Sequence, residues 1–216
     1  MFPRRPITVN PSKLGLTAID HVVLNVPINE FENASQWYQT LFNWQVQQRF
    51  TIATPHSGLY SEALIDQGGK VQFNLNRPDS NQSQIQTFLD HNHSAGIQHV
   101  AFSSHNIVQT VEKLRENAVE FLTVPQNYYD QKQQKFNRDN LQLTQTINWQ
   151  TLRNLGILID SNASQTQQLL LQIFSQPLFG RSSLFWEIIE RRHQAIGFGE
   201  GNFQALYEAV EASERE

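Results

Sequence analysis

The chain has 216 residues, 39% of them apolar, which suits one large domain or two small modules sharing a core. No apolar run reaches the ~20 residues of a spanning helix, the opening MFPRRPITVNPSKLG lacks the apolar stretch of a secretory signal, and a net charge of −4 without a Lys/Arg cluster argues against nucleic acid. Absence of cysteine excludes disulfides, thiolate metal sites and cysteine nucleophiles and is compatible with the cytoplasm, so any metal must rest on histidine and carboxylate, which suit Fe(II), Mn(II) or Zn(II).

Residues 1–16 read as a short Pro-containing arm, and Met1 argues for a natural start rather than an excised fragment. Thr17 to Val26 is a β-branched run stopped by Pro27, which predicts a strand. NEFENASQWYQTLFNW follows, with Phe31, Ala34, Trp37, Tyr38, Leu41 and Phe42 at helical spacing. Three strand-like runs come next, WQVQQRFTI, GLYSEALID and KVQFNLN, with a Gly68-Gly69 turn before the last. SQIQTFLDHNHSAG predicts a connecting helix closed by Gly96.

GIQHVAF then repeats the pattern of AIDHVVL: a small residue, isoleucine, one polar residue, His-Val. A helix over NIVQTVEKLRENA follows, a possible strand at VEFLTVP, and a polar helical insertion at 127–155. GILID, QQLLLQIF and SLFWEIIE are three more strand-like runs, and GNFQALYEAVEASERE reads as a terminal helix carrying Phe203, Leu206, Tyr207 and Val210. Two βαβββ modules result, 17–95 and 96–195, followed by a lid segment and C-terminal helix at 196–216. The expected fold is α+β, a half-open eight-stranded barrel whose modules bury their apolar faces against one another.

One histidine in a strand is usually a core imidazole with a hydrogen-bond partner. Two at equivalent positions of a duplication, His21 and His99, instead suggest ligands brought to one cavity. Glu187 supplies a carboxylate in the apolar run SLFWEIIERR, where an unpaired charge costs several kcal/mol. His21, His99 and Glu187 therefore form a candidate facial triad for Fe(II). Glu190 faces the other side of its strand, solvated or paired with Arg191 or Arg192. His91 and His93 sit where a helix ends, His56 in a loop, and His105 and His193 in polar segments; none of the five is read as a ligand.

These residues match a known pattern. IDHVVLNVP, SQIQ, AGIQHVAF, LRENAVEFLTVPQNYY, LGILID, LLQIFSQP, LFWEIIERR and GFGEGNFQALYEAVE make the chain resemble, from Ile19 onward, the iron-bearing C-terminal half of 4-hydroxyphenylpyruvate dioxygenases, in the vicinal-oxygen-chelate superfamily. The resemblance implies Fe(II) held by His21, His99 and Glu187, and a substrate pocket of Ser61, Asn76, Gln84, Gln98, Gln172, Phe174, Phe185, Phe198, Asn202 and Phe203. Alternation puts Gln172 with Phe174, and Phe185 with Glu187, on shared strand faces; Gln98 points away from His99, so its place rests on the motif. The implied partners are an aromatic 2-oxo acid and O2, with conversion of 4-hydroxyphenylpyruvate to homogentisate and CO2. The GFGEGNF segment would act as a lid, its glycines giving backbone freedom.

The chain is about half the family's length, which leaves a homo-oligomer open, and Asn74 stands where the family has proline. Asn74 shares a strand face with Asn76, so an extra amide in the pocket would alter which substrate fits. Trp186, in place of a smaller apolar residue, falls on the outer face. Two rival readings stand beside the dioxygenase: benzylic hydroxylation to 4-hydroxymandelate or action on another 2-oxo acid, and a non-catalytic ligand-binding module.

Overall fold

The computed structural model describes residues 14–53, 57–138, 147–161, 168–203 and 205. Most of the N-terminal arm, His56, the middle of the insertion and the tail positions Leu206, Tyr207 and Val210 lie outside the described residues. The elements run β1 (Leu16–Asn25), α1 (Phe31–Phe42), β2 (Gln45–Ala53), β3 (Gly58–Ile65), β4 (Gln72–Pro78), α2 (Gln84–Asn92) and β5 (Gly96–Ser104). After them come α3 (Ile107–Glu116), α4 (Gln126–Arg138), α5 (Trp149–Leu155), β6 (Leu158–Asp160), β7 (Leu169–Phe174) and β8 (Phe185–Arg192). The strands form one eight-stranded sheet in the order β2-β3-β4-β1-β5-β8-β7-β6.

The chain divides into two compact units. The first holds Ile19–Ala101 and Pro177–Trp186. Within it β1 pairs parallel with β4, while β2, β3 and β4 form an antiparallel meander. Asp66 shapes the β3–β4 turn by accepting from the backbone amides of Gly68, Lys70 and Val71, and Gly69 takes the left-handed φ of 67° the turn requires. Those three amides hold the Asp66 carboxyl below its ordinary range. Helix α2 starts where Ser83 Oγ accepts from the Ile85 amide and ends on His93 at φ 62°.

Alternation gives this unit two faces. Leu64, Leu75 and Val26 pack under Phe31 of α1, with Leu24, Tyr60 and Phe73 around them. Ser35 of the same helix donates to the buried Glu62 carboxylate, which also receives Arg49 Nε at 2.7 Å. The helix buries less of its apolar set than the spacing suggests: Trp37, Leu41 and Phe42 are 53%, 58% and 49% exposed. The opposite strand face carries polar groups instead, and the site is built there.

The second unit begins in β5 and holds α3 to β7, the rest of β8 and the segment after it. Antiparallel β6-β7-β8 form its sheet portion. VEFLTVP is not a strand: Ala118 turns the chain at φ 62°, and Phe121 meets Ser175 in a single bridge. The insertion is two helices, α4 and α5, and α4 is less polar in effect than in composition, burying Tyr128, Tyr129, Lys132 and Phe136. Glu190 does pair with Arg192, at 2.6 Å, yet it is buried rather than solvated. Its other oxygen accepts from the amide of Ile107 at 2.7 Å, capping the start of α3, where a helix dipole favours negative charge.

Candidate metal centre

In β1 the burial alternates from His21 onward, so His21, Val23 and Asn25 look to the same side and Leu24 to the α1 side. His21 Nδ1 lies 2.9 Å from Asp20 Oδ1. A carboxylate there accepts the Nδ1 hydrogen, which leaves the ring lone pair at Nε2. His99 and Ala101 are the buried face of β5. The His21 and His99 rings meet edge to face with centroids 5.6 Å apart, and Phe185 stacks on His99 at 4.9 Å.

Glu187 and Phe174 are register partners on β8 and β7. Burying the Glu187 carboxylate demands compensation, and part of it comes from Gln172, whose Nε2 donates to Oε1 at 2.9 Å. The same nitrogen donates to the Phe198 carbonyl at 2.9 Å, and Gln172 Oε1 accepts from Asn202 Nδ2 at 2.8 Å. Every hydrogen of that amide is therefore used inside the protein.

One donor atom from each of His21, His99 and Glu187 lies within 4.8 Å of the other two, and all three side chains are buried. Two imidazoles and one carboxylate this close can offer their lone pairs to one cation placed among them. The set matches the two-histidine, one-carboxylate grouping that holds a divalent metal and leaves coordination positions open. These residues fit a metal ion.

Beside His21 the register builds a polar row. Asn25 pairs with Asn76 and Asn76 with Ser61, so three polar side chains lie abreast across β1, β4 and β3. Asn25 and Ser61 are completely buried, and neither Asn25 amide atom nor Ser61 Oγ has a hydrogen-bond partner among the described residues. Asn74 lies on the same face two positions along, with a buried and unpartnered Oδ1. Orphaned groups like these cost about 1–3 kcal/mol each unless a ligand satisfies them.

The remaining sequence-selected residues fall in several places. Gln84 opens α2, its amide donating to Ser57 Oγ at 2.9 Å. Gln98 is on the β5 face opposite His99, as alternation requires. Phe174, Phe198 and Asn202 are buried, and Phe203 is partly exposed. His91 sits in the last turn of α2 with Nδ1 2.9 Å from the Thr87 carbonyl, and His93 is that helix's left-handed cap. His105 donates its backbone amide to Gly15, and His193 takes a φ of 53°. None of these four joins the metal-binding group.

Sequence reasoning missed two residues. Asn25 sits at i+4 from His21 in a strand, so the period that selected His21 also pointed to it. Tyr128, on α4, is joined by its hydroxyl to Asn202 Oδ1 at 2.7 Å; no spacing rule connects it with Glu187.

Residues 18–141, more than half of the chain, match the model of the Glyoxalase/Bleomycin resistance protein/Dioxygenase superfamily, and the chain belongs to that superfamily. The vicinal-oxygen-chelate fold implied by the resemblance is thus the fold found. Among curated proteins, 4-hydroxyphenylpyruvate dioxygenase of Legionella pneumophila is 41% identical over 197 residues, covering 91% of this chain and 54% of the relative. An uncharacterized protein of Synechocystis sp. is 60% identical over 205 residues, covering 94% and 59%. A solved variant of 4-hydroxymandelate synthase from Streptomyces coelicolor superposes with a TM-score of 0.78 at 31% identity, covering 92% of this chain and 54% of that one. The chain spans about half the length of the curated relatives it matches.

Proposed function

We propose that the protein is a cytoplasmic Fe(II)-dependent dioxygenase that converts 4-hydroxyphenylpyruvate and O2 to homogentisate and CO2. The observation that carries this reading is the buried convergence of His21, His99 and Glu187 within 4.8 Å, in a chain 41% identical to a protein of that name. His21, His99 and Glu187 would hold the iron. Bound there, iron supplies Lewis acidity toward an anionic 2-oxo acid and the redox chemistry of dioxygen activation.

The chain's own residues do the rest. Asp20 fixes the His21 ring so that Nε2 offers its lone pair. Ser61 and Asn76, with Asn25 beside them, hydrogen-bond the polar ends of the substrate, since their buried atoms lack partners in Asn25 and Ser61. Phe185, stacked on His99, offers an apolar face to an aromatic ring. Gln84, Phe174, Phe198 and Phe203 complete the lining by resemblance, while Gln98, on the opposite face of β5, stands behind His99. Burial of His21, His99, Glu187, Ser61, Asn76 and Phe185 keeps water from the reacting groups.

Hydroxylation at the benzylic carbon, giving 4-hydroxymandelate, is a second reading. It is favoured by the likeness to a 4-hydroxymandelate synthase and by Asn74, which adds a buried amide two residues from Asn76. Loading the protein anaerobically with Fe(II), adding 4-hydroxyphenylpyruvate and admitting O2 decides between them. Homogentisate as product upholds the first reading and 4-hydroxymandelate the second. No oxygen uptake with 4-hydroxyphenylpyruvate overturns both, and turnover of a different 2-oxo acid then redirects the substrate assignment. A binding-only module predicts ligand retention without oxygen consumption.

A further inference from the structure

The helical insertion reaches Glu187 through a chain of hydrogen bonds. The Ile159 amide donates to the Tyr128 hydroxyl at 2.8 Å. That hydroxyl in turn faces two acceptors, Asn202 Oδ1 at 2.7 Å and the Ile159 carbonyl at 2.9 Å. Asn202 Nδ2 donates to Gln172 Oε1 at 2.8 Å, and Gln172 Nε2 to Glu187 Oε1 at 2.9 Å. Tyr128, Asn202, Gln172 and Glu187 are all buried, so no link is exchanged with bulk water.

The direction of the chain follows from its end. A carboxylate can only accept, so Gln172 must present Nε2 to Glu187 and its oxygen to Asn202. Asn202 must then present Nδ2 to Gln172 and its oxygen to the next group. That oxygen needs a donor, and Tyr128 is the hydroxyl placed to supply it. A side chain without the hydroxyl leaves Asn202 Oδ1 without its donor and loosens the far end of the chain.

Two further contacts hold the segment carrying Asn202 against this chain. Gly199 has a φ of 78°, and a Cβ there would stand 1.9 Å from Gln172 Oε1, so the backbone lies directly against the Gln172 amide. The Gly201 amide donates to Asp160 Oδ2 at 2.8 Å, while Lys132, one turn beyond Tyr128 on α4, bonds the other Asp160 oxygen at 3.1 Å. The glycines of GFGEGNF thus permit close approach as well as freedom.

We propose that Tyr128 is a positioning residue for Glu187, acting through Asn202 and Gln172. The inference rests on the reading of Glu187 as a metal ligand. Groups one step behind a ligand typically govern metal affinity by 10–100-fold.

The test compares Tyr128→Phe, Gln172→Leu and their double variant with Tyr129→Phe, a neighbouring buried phenol outside the chain. Co(II) affinity and the Co(II) d–d spectrum are read in each, with the side-chain amide NMR signals of Gln172 and Asn202 in the metal-free protein. Gln172→Leu, which removes the group one step behind the ligand, is expected to weaken Co(II) binding about tenfold, and Tyr128→Phe to weaken it by a smaller factor, move the d–d bands and shift both amide signals. The double variant should be no weaker than Gln172→Leu alone, and Tyr129→Phe should change nothing. Unshifted amide signals in a folded Tyr128→Phe variant, or additive losses in the double variant, overturn the proposal. Wild-type protein that binds no Co(II) overturns the metal reading instead, and with it any positioning of a ligand, while the amide signals still report whether the chain transmits.

Discussion

His21 and His99 stand 78 positions apart in sequence and meet edge to face, their ring centroids 5.6 Å apart. Each is the first buried residue of its strand, followed two places on by a small apolar residue, Val23 or Ala101. Period-two alternation turns both rings to the buried side, and neighbouring places for β1 and β5 in the sheet bring them together. A slip of one residue in either strand would turn its imidazole away.

Asn25 is expected to trade stability for binding. It is fully buried with both amide atoms unpartnered. Asn25→Leu, close in volume, should leave the urea midpoint unchanged or raise stability by about 1 kcal/mol. Under the proposed function, the same change should weaken binding of 4-hydroxyphenylpyruvate about tenfold, roughly 1.4 kcal/mol. A loss of more than about 2 kcal/mol in stability would show that the amide is satisfied within the fold.

Phe31 is the anchor of α1. It is the largest side chain of a core cluster otherwise built on Val26, Leu64 and Leu75, and it is wholly buried. Phe31→Ala should cost about 3–5 kcal/mol in equilibrium urea unfolding. Leu41→Ala, at 58% exposure, should cost under about 1 kcal/mol. Equal losses from the two would contradict the assignment of the helix's buried side.

Alkaline pH should unfold the second unit's helical insertion. Burial lifts the phenols of Tyr128 and Tyr129 above their ordinary 10.0. Folding therefore favours the neutral phenols. That stabilisation is complete below pH 10 and is lost as pH climbs from 10 toward the folded-state values, at about 1.4 kcal/mol per pH unit for each phenol. Burial acts oppositely on Lys132, lowering its ammonium from 10.5 despite Asp160, so its charge opposes folding at neutral pH and this opposition fades toward 10.5. Beyond that point the tyrosines act alone. Urea midpoints should fall steeply above about pH 10, and Tyr129→Phe should reduce the slope; a flat profile to pH 11.5 would contradict the burial of both phenols.

The repeat, the strand carriers of the triad and the order of βαβββ elements were legible in sequence because each rests on local periodicity. His21 and His99 announce themselves by a duplicated motif, and Glu187 by sitting in an apolar run. What was not legible depends on tertiary contact. The strand-like run VEFLTVP makes only the single bridge of Phe121 to Ser175, Glu190 leaves solvent to cap α3, and Trp37 and Phe42 stay exposed on a helix whose spacing looks buried. Tyr128 escaped because its role is conferred by Asn202, 74 residues away. Hydrogen bonds of that span leave no pattern in one sequence.

The central claim is that His21, His99 and Glu187 bind one metal together. Anaerobic titration with Fe(II), read by equilibrium dialysis, tests it on the wild type and on His21→Ala, His99→Ala, Glu187→Ala and the control His105→Ala. The account predicts a single bound ion in the wild type and in His105→Ala, and its loss in each of the other three while their circular dichroism is unchanged. Undiminished iron in any one of those three folded variants, or none in the wild type, would contradict it.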